Sequence, residues 1–187
     1  YGRDGGSISL KVAAVSPEVR VTTKQVLSFG DDRIVLAADL QVAITRAGLF
    51  QISFVLPTGL EVEALSGPAL SQWTESTEGK ERIVTLQLNG RTIGNQNFNL
   101  TLVGPAPAAQ ESWPVPRLQL REATRQTGEL VLVPEQGIRL HAVDRENVSQ
   151  MDSRTAGEPR TGTLAFRLLQ EDWNLTLGIE ALEPWIT

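Results

Sequence analysis

A period-two alternation of unusual length does most to decide what this chain can fold into. Ile34, Leu36, Ala38, Leu40, Val42 and Ile44 stand at every second position, with Arg33, Val35, Ala37, Asp39, Gln41, Ala43 and Thr45 between them. Successive side chains of a strand point to opposite faces, so this run buries one face and turns the other mostly toward water. After Arg46-Ala47-Gly48 the rhythm resumes in Phe50, Ile52, Phe54 and Leu56, and the interruption reads as the turn of a hairpin. Shorter runs of the same period are Ile8, Leu10, Val12; Leu60, Val62, Ala64; Phe98, Leu100, Leu102; Leu118, Leu120; Ile138, Leu140, Ala142; and Trp173, Leu175, Leu177, Ile179. Turn chemistry separates them at Gly30-Asp31-Asp32, Pro57-Thr58-Gly59, Gly67-Pro68, Glu78-Gly79, Asn89-Gly90 and Glu135-Gln136-Gly137. Hardly any window has helical period. The predicted fold is all-β, an antiparallel β-sandwich.

The chain also matches itself. Laying residues 59 to 88 on residues 137 to 166 needs no gap and gives nine identities, among them Gly59/Gly137, Gly79/Gly157, Arg82/Arg160, Thr85/Thr163 and Leu86/Leu164. Flanking matches pair Pro57 with Pro134 and Phe98-Asn99-Leu100-Thr101-Leu102 with Trp173-Asn174-Leu175-Thr176-Leu177. A generic strand pattern reproduces apolar positions but not the shared Gly-x-x-Arg-x-x-Thr-Leu, so the reading is an internal repeat that builds the sandwich from two related halves. Residues 1–104 form the first half, with a repeat copy at about 49–104, and residues 117–187 the second, with a copy at about 127–180. Residues 105–116, rich in Pro and Ala, are too poor in backbone donors for a central strand and read as a crossover or linker.

Little here carries chemistry. The chain has no cysteine and one histidine, His141, which lies on the face of its strand opposite Leu140 and Ala142. Its partner in the repeat is Glu63, so the position reads as a solvated strand face. Glu61 and Glu63, two apart on a strand, would share a side, but their counterparts are Arg139 and His141, and the pair is not a repeated unit. Asp31-Asp32 reads as a turn, without the spacing of a calcium loop. The matched Arg82 and Arg160 could each pair with an acidic neighbour or bind an anion, and as a repeated pair they read as structural. No cofactor, metal site or catalytic residue is predicted. A net charge of −5 gives no pull toward nucleic acid, and the longest uncharged stretch is too short and polar to insert in a membrane.

Trp73 and Trp113 are the residues most open to a binding role, because both are predicted in loops or crossover where rings can meet a ligand or partner. Trp173, aligned with Phe98, is predicted in the core, and Trp185 is the fourth tryptophan. The run Thr23 to Pro57, with Val26 to Gly30 and Arg46 to Pro57, followed by Gly59-Leu60-Glu61-Val62, Gln72-Trp73, Gly128 to Val133 and Leu164 to Leu168, resembles β-sandwich segments of very large bacterial envelope proteins of unknown function. That resemblance implies an extracytoplasmic setting, in periplasm or envelope, and carries no catalytic residue. The expected function is a non-catalytic structural or protein-interaction module whose partners are neighbouring domains of its own chain or another protein. The alternative is a carbohydrate-binding module that meets a glycan through Trp73 and Trp113.

Overall fold

A computed structural model describes residues 15–154, 156 and 161–182. The run Ile8 to Val12, together with Thr155, Gly157, Arg160 and Trp185, lies outside them. Among the described residues there are eleven strands and no helix: β1 (Glu18–Phe29), β2 (Arg33–Val55), β3 (Glu61–Ser66), β4 (Leu70–Glu78), β5 (Glu81–Pro105), β6 (Gln110–Pro114), β7 (Arg125–Pro134), β8 (Ile138–Glu146), β9 (Val148–Met151), β10 (Leu164–Leu168) and β11 (Asn174–Ala181). The protein is all-β. Eight strands form one sheet in the order β3-β5-β2-β1-β7-β10-β9, with β4 also on β5, and β6-β11-β8 form a second, smaller one.

The long alternation is the middle of the large sheet. All six of its apolar residues, Ile34 to Ile44, are buried, as are Phe98, Leu100 and Leu102 opposite them on β5. Leu140, Trp173, Leu175, Leu177 and Ile179 of the small-sheet side belong to the same buried cluster. The two sheets therefore face each other across one core, and Phe29 of β1 meets Trp113 of β6 edge to face with centroids 5.5 Å apart. Neither sheet closes on itself.

Arg46-Ala47-Gly48 does not reverse the chain. β2 runs through it for 23 residues and pairs with the 25-residue β5 on both sides of the interruption. The register slips between Ile44 and Leu49 and again before Gln51, and Arg46, Gly90 and Gly94 all take positive φ. Extra residues on both strands make a compound bulge, which bends the ribbon and keeps its direction. Asn89-Gly90 belongs to the same bend and is not a turn.

Beyond the bend β1 has ended, and another segment takes its place along β2. Residues 115–124 form a strap in which Leu120 bridges Phe54, and the Arg121 N–H donates to the Ser53 carbonyl at 2.8 Å. In the segment predicted as a crossover, the chain leaves β5, adds β6 to the edge of the small sheet and returns through the strap to β7. Edge placement suits a strand that ends in proline. β7 then pairs with β1 in parallel over ten positions, from Arg20↔Arg125 to Phe29↔Pro134.

The two stretches matched in sequence share turns and an order of pairing, and differ in register. Gly59 and Gly137 both have positive φ, and each turn is closed by an N–H to carbonyl bond of 3.1 Å, Leu60 to Pro57 and Ile138 to Glu135. β3 then pairs with the end of β5 as β8 pairs with β11, and β4 with the start of β5 as β9 with β10. Val62 faces Leu102, whereas Leu140 faces Ile179, two positions further along than the sequence match places it. β5 is one continuous strand, while its counterparts β10 and β11 lie in different sheets.

Candidate functional site

The polar residues singled out in the sequence do not converge. Glu61 and Glu63 are on β3 of the large sheet and His141 is on β8 of the small one. A bulge between Val62 and Ala64 takes Glu63 out of register and breaks the alternation that would align the two carboxylates. His141 is exposed and lies over Gly178, its cross-strand partner, where an added Cβ would meet the imidazole. The ring covers a glycine on a central strand. Among the described residues no three His, Cys, Asp or Glu gather as a metal site.

Arg82 organises a cluster of charge on this side of the molecule. Its guanidinium reaches Glu61 at 2.5 Å and Glu75 at 2.9 Å and donates to the Leu60 carbonyl at 3.3 Å, so it ties β5 to β3 and β4. The hydrogen bond from Arg82 holds the Glu61 carboxyl below the ordinary glutamate value; burial opposes this and the positive charge adds to it. Replacing Arg82 by glutamine is therefore expected to return Glu61 to ordinary titration, read as a rise in the pH at which its side-chain carboxyl shift moves. A carboxyl with a lowered pKa stabilises the fold above its unfolded value and loses that contribution as pH falls through the folded one. The acid limb of the stability profile should flatten accordingly in the variant.

The cleft between the sheet ends, about 930 Å³, is lined by Lys80, Arg82, Trp113, Arg117, Arg121 and the Pro57-Thr58-Gly59 turn among others. Its cations are mostly engaged. Arg82 is held as above, Arg117 donates to the Trp173 carbonyl at 3.0 Å, and Arg121 stands 3.6 Å from Glu78. Trp113, half-buried, has Phe29 packed on it in the core. Trp73 is not in a loop: it sits on β4 opposite Leu86, 38% exposed. Every residue of β4 after Leu70 is exposed, so no apolar alternation marks it as a strand in the sequence. The two tryptophans are on different sheets, and Trp73 does not line the cleft that holds Trp113.

Polar residues that pattern reading passed over do structural work around the strap. Glu122 receives the Ser53 N–H at 2.7 Å and the Ser53 hydroxyl at 2.8 Å. Gln126, 4% exposed, accepts from the Leu120 N–H at 2.9 Å and donates to the Leu118 carbonyl at 2.7 Å. The phase of β7 held the signal for Gln126: counting back by twos from Leu132 and Leu130 reaches Gly128 and then Gln126 on the inner face.

This open, two-sheet all-β arrangement is a fold seen in solved structures. Native yeast LTA4 hydrolase matches with a TM-score of 0.56 at 8% identity, over 86% of this chain and 29% of that one. A second structure of leukotriene A4 hydrolase from Saccharomyces cerevisiae gives 0.52 at 9%, over 88% and 29%. A variant of an M1 zinc metallopeptidase from Deinococcus radiodurans gives 0.50 at 13%, over 87% and 42%. The chain thus spans less than half the length of these proteins, and at such identities the likeness is one of fold. No family model matches the chain, and no curated protein matches it in sequence.

Proposed function

We propose that this chain is a non-catalytic β module that supplies a structural or protein-interaction surface to a larger, extracytoplasmic protein. The observation that carries the reading is that, among the described residues, the acid and base candidates Glu61, Glu63 and His141 are dispersed, while the one close carboxylate pair, Glu61 and Glu75, is tied up by Arg82. Glu61 is held by Arg82, Glu63 is displaced by a bulge and His141 covers Gly178 on the other sheet. General acid and base chemistry requires two such groups within reach of one bound atom. The extracytoplasmic setting rests on the sequence resemblance alone. A glycan-binding reading draws less support, since Trp73 and Trp113 offer no common platform.

Incubation with fluorogenic peptidase, esterase and glycosidase substrates is expected to give no turnover above that of heat-denatured protein. Turnover that disappears in Glu61→Gln or in His141→Ala would overturn the proposal. Glycan-array binding that is lost in Trp73→Ala would instead favour the carbohydrate-binding reading.

A further inference from the structure

The bend of β2 and β5 carries features that the core does not need. Where the strands face each other at Leu49 and Thr92, Thr92 is 8% exposed and Leu49 packs on the core. Their neighbours Phe50 and Ile93 stand out into water at 63% and 57% exposure. Arg46 and Arg91 are exposed at the same bend, and among the described residues neither has an ion-pair partner. The stem of Arg91 lies over Gly48, where an added Cβ would meet it. No Asp or Glu occurs from Leu40 to Leu60 or from Ile83 to Gln110, so this tip is basic on a chain whose net charge is −5.

The backbone adds an independent observation. Of the bend's three positive-φ residues, Gly90 (77°) and Gly94 (93°) adopt that conformation without steric cost, but the third is Arg46 at 73°. A glycine would serve the bulge better. Strain kept at an exposed, charged residue points to a use for the charge.

Resting on the reading of the chain as an interaction module, we propose that this bend docks a protein segment bearing carboxylates around one or two apolar side chains. Guanidinium groups grip carboxylates in a planar, two-pronged geometry, and arginine and aromatic side chains are both enriched at protein interfaces. A membrane fits less well. Lipid-binding clusters gather roughly four to eight basic residues, whereas the bend has two arginines on an acidic chain.

The test uses the whole chain and three probes: a fluorescent peptide of alternating glutamate with leucine and phenylalanine, its lysine counterpart, and phosphatidylcholine vesicles containing phosphatidylserine. Saturable binding is expected for the acidic peptide alone, falling about tenfold in Phe50→Ser and in Arg91→Ser. Arg46→Gly should weaken it about fivefold while its thermal midpoint holds or rises, because the strained residue is gone. That variant separates docking from folding. Unchanged affinity in Arg46→Gly, equal binding of both peptides, or no saturable binding overturns the proposal; binding to vesicles without binding to the acidic peptide overturns it in favour of a membrane. None of these results touches the substrate screen, so failure of the docking site and failure of the non-catalytic reading are told apart.

Discussion

Gly128→Val is expected to lower the free energy of unfolding by about 3 kcal/mol, the upper range for overpacking a closed site. Gly128 faces Thr23 in the parallel ladder between β1 and β7, the pairing that joins the first part of the chain to the last. An added Cβ would meet the Thr23 hydroxyl and carbonyl oxygens and lie 2.9 Å from the Thr23 nitrogen. A hydroxyl can rotate away; backbone atoms of a central strand cannot. On propensity alone the sign would be opposite, because a β-branched residue is favoured over glycine in a strand by about 1 kcal/mol. The substitution therefore weighs space against intrinsic preference, and the contact with backbone decides for space. Urea unfolding of the wild type, Gly128→Val, and Gly128→Ala in the presence and absence of Thr23→Ala gives the measurement. Removing the hydroxyl should recover only part of the loss. A valine variant as stable as the wild type would show that β1 and β7 have room there.

The elements that could be read from sequence are those whose inner positions are all apolar. The alternation from Ile34 to Ile44 was legible because six consecutive inner positions are hydrocarbon, and all six are buried. β1 has the same geometry and the same burial, with Val19, Val21, Leu27 and Phe29 inside, yet its two central inner positions are Thr23 and Gln25, both buried. Two polar residues in the middle of a six-position stripe hide the period. They are tolerated partly because the Gln25 amide donates to the Thr23 hydroxyl at 3.0 Å. β4 was illegible for the opposite reason, since with both faces in water nothing constrains its pattern. The hairpin expected at Arg46-Ala47-Gly48 failed because a bulge and a turn draw on the same residues. Only pairing on both sides, to Gly94 before and to Gln87 after, distinguishes them.

Candidate sites were less legible than strands. The sequence match directed attention to Arg82, whose two carboxylate partners come from β3 and β4, strands that the match spans. It could not show that Glu63 sits at a bulge, because a bulge is a property of two strands and not of one. Nor could it show that Phe50, in phase with the buried Ile52 and Phe54, is thrown outward by the slip in register just before Gln51. Period-two counting holds within one uninterrupted ladder, and the bend is where this ladder is interrupted.

Gln126→Leu is expected to cost about 3 kcal/mol, because it strands the Leu120 N–H and the Leu118 carbonyl in the core at roughly 1–3 kcal/mol for each unsatisfied group. The side-chain amide does for the strap what a neighbouring strand does for a ladder: one donor and one acceptor, offered side by side. Leu118 and Leu120 are fully buried by that grip, so loosening the strap also exposes the Phe54 end of the core. Hydrogen exchange at the Leu120 amide should accelerate more than the global loss of stability accounts for. Gln126→Glu sharpens the argument through its pH dependence. A neutral glutamic acid can still accept from the Leu120 N–H and donate its own O–H to the Leu118 carbonyl, whereas the carboxylate repels that carbonyl oxygen. Its folded pKa must then rise above the unfolded value of about 4.3. A group with a raised acid pKa binds more protons folded than unfolded, so stability falls as pH increases through the interval between the two values. The stability gap between this variant and the wild type should be small near pH 4 or below and widen toward neutrality. A gap that stays constant with pH would mean that the amide does not bind the strap through these two backbone groups, and that packing alone holds residues 115–124 against β2.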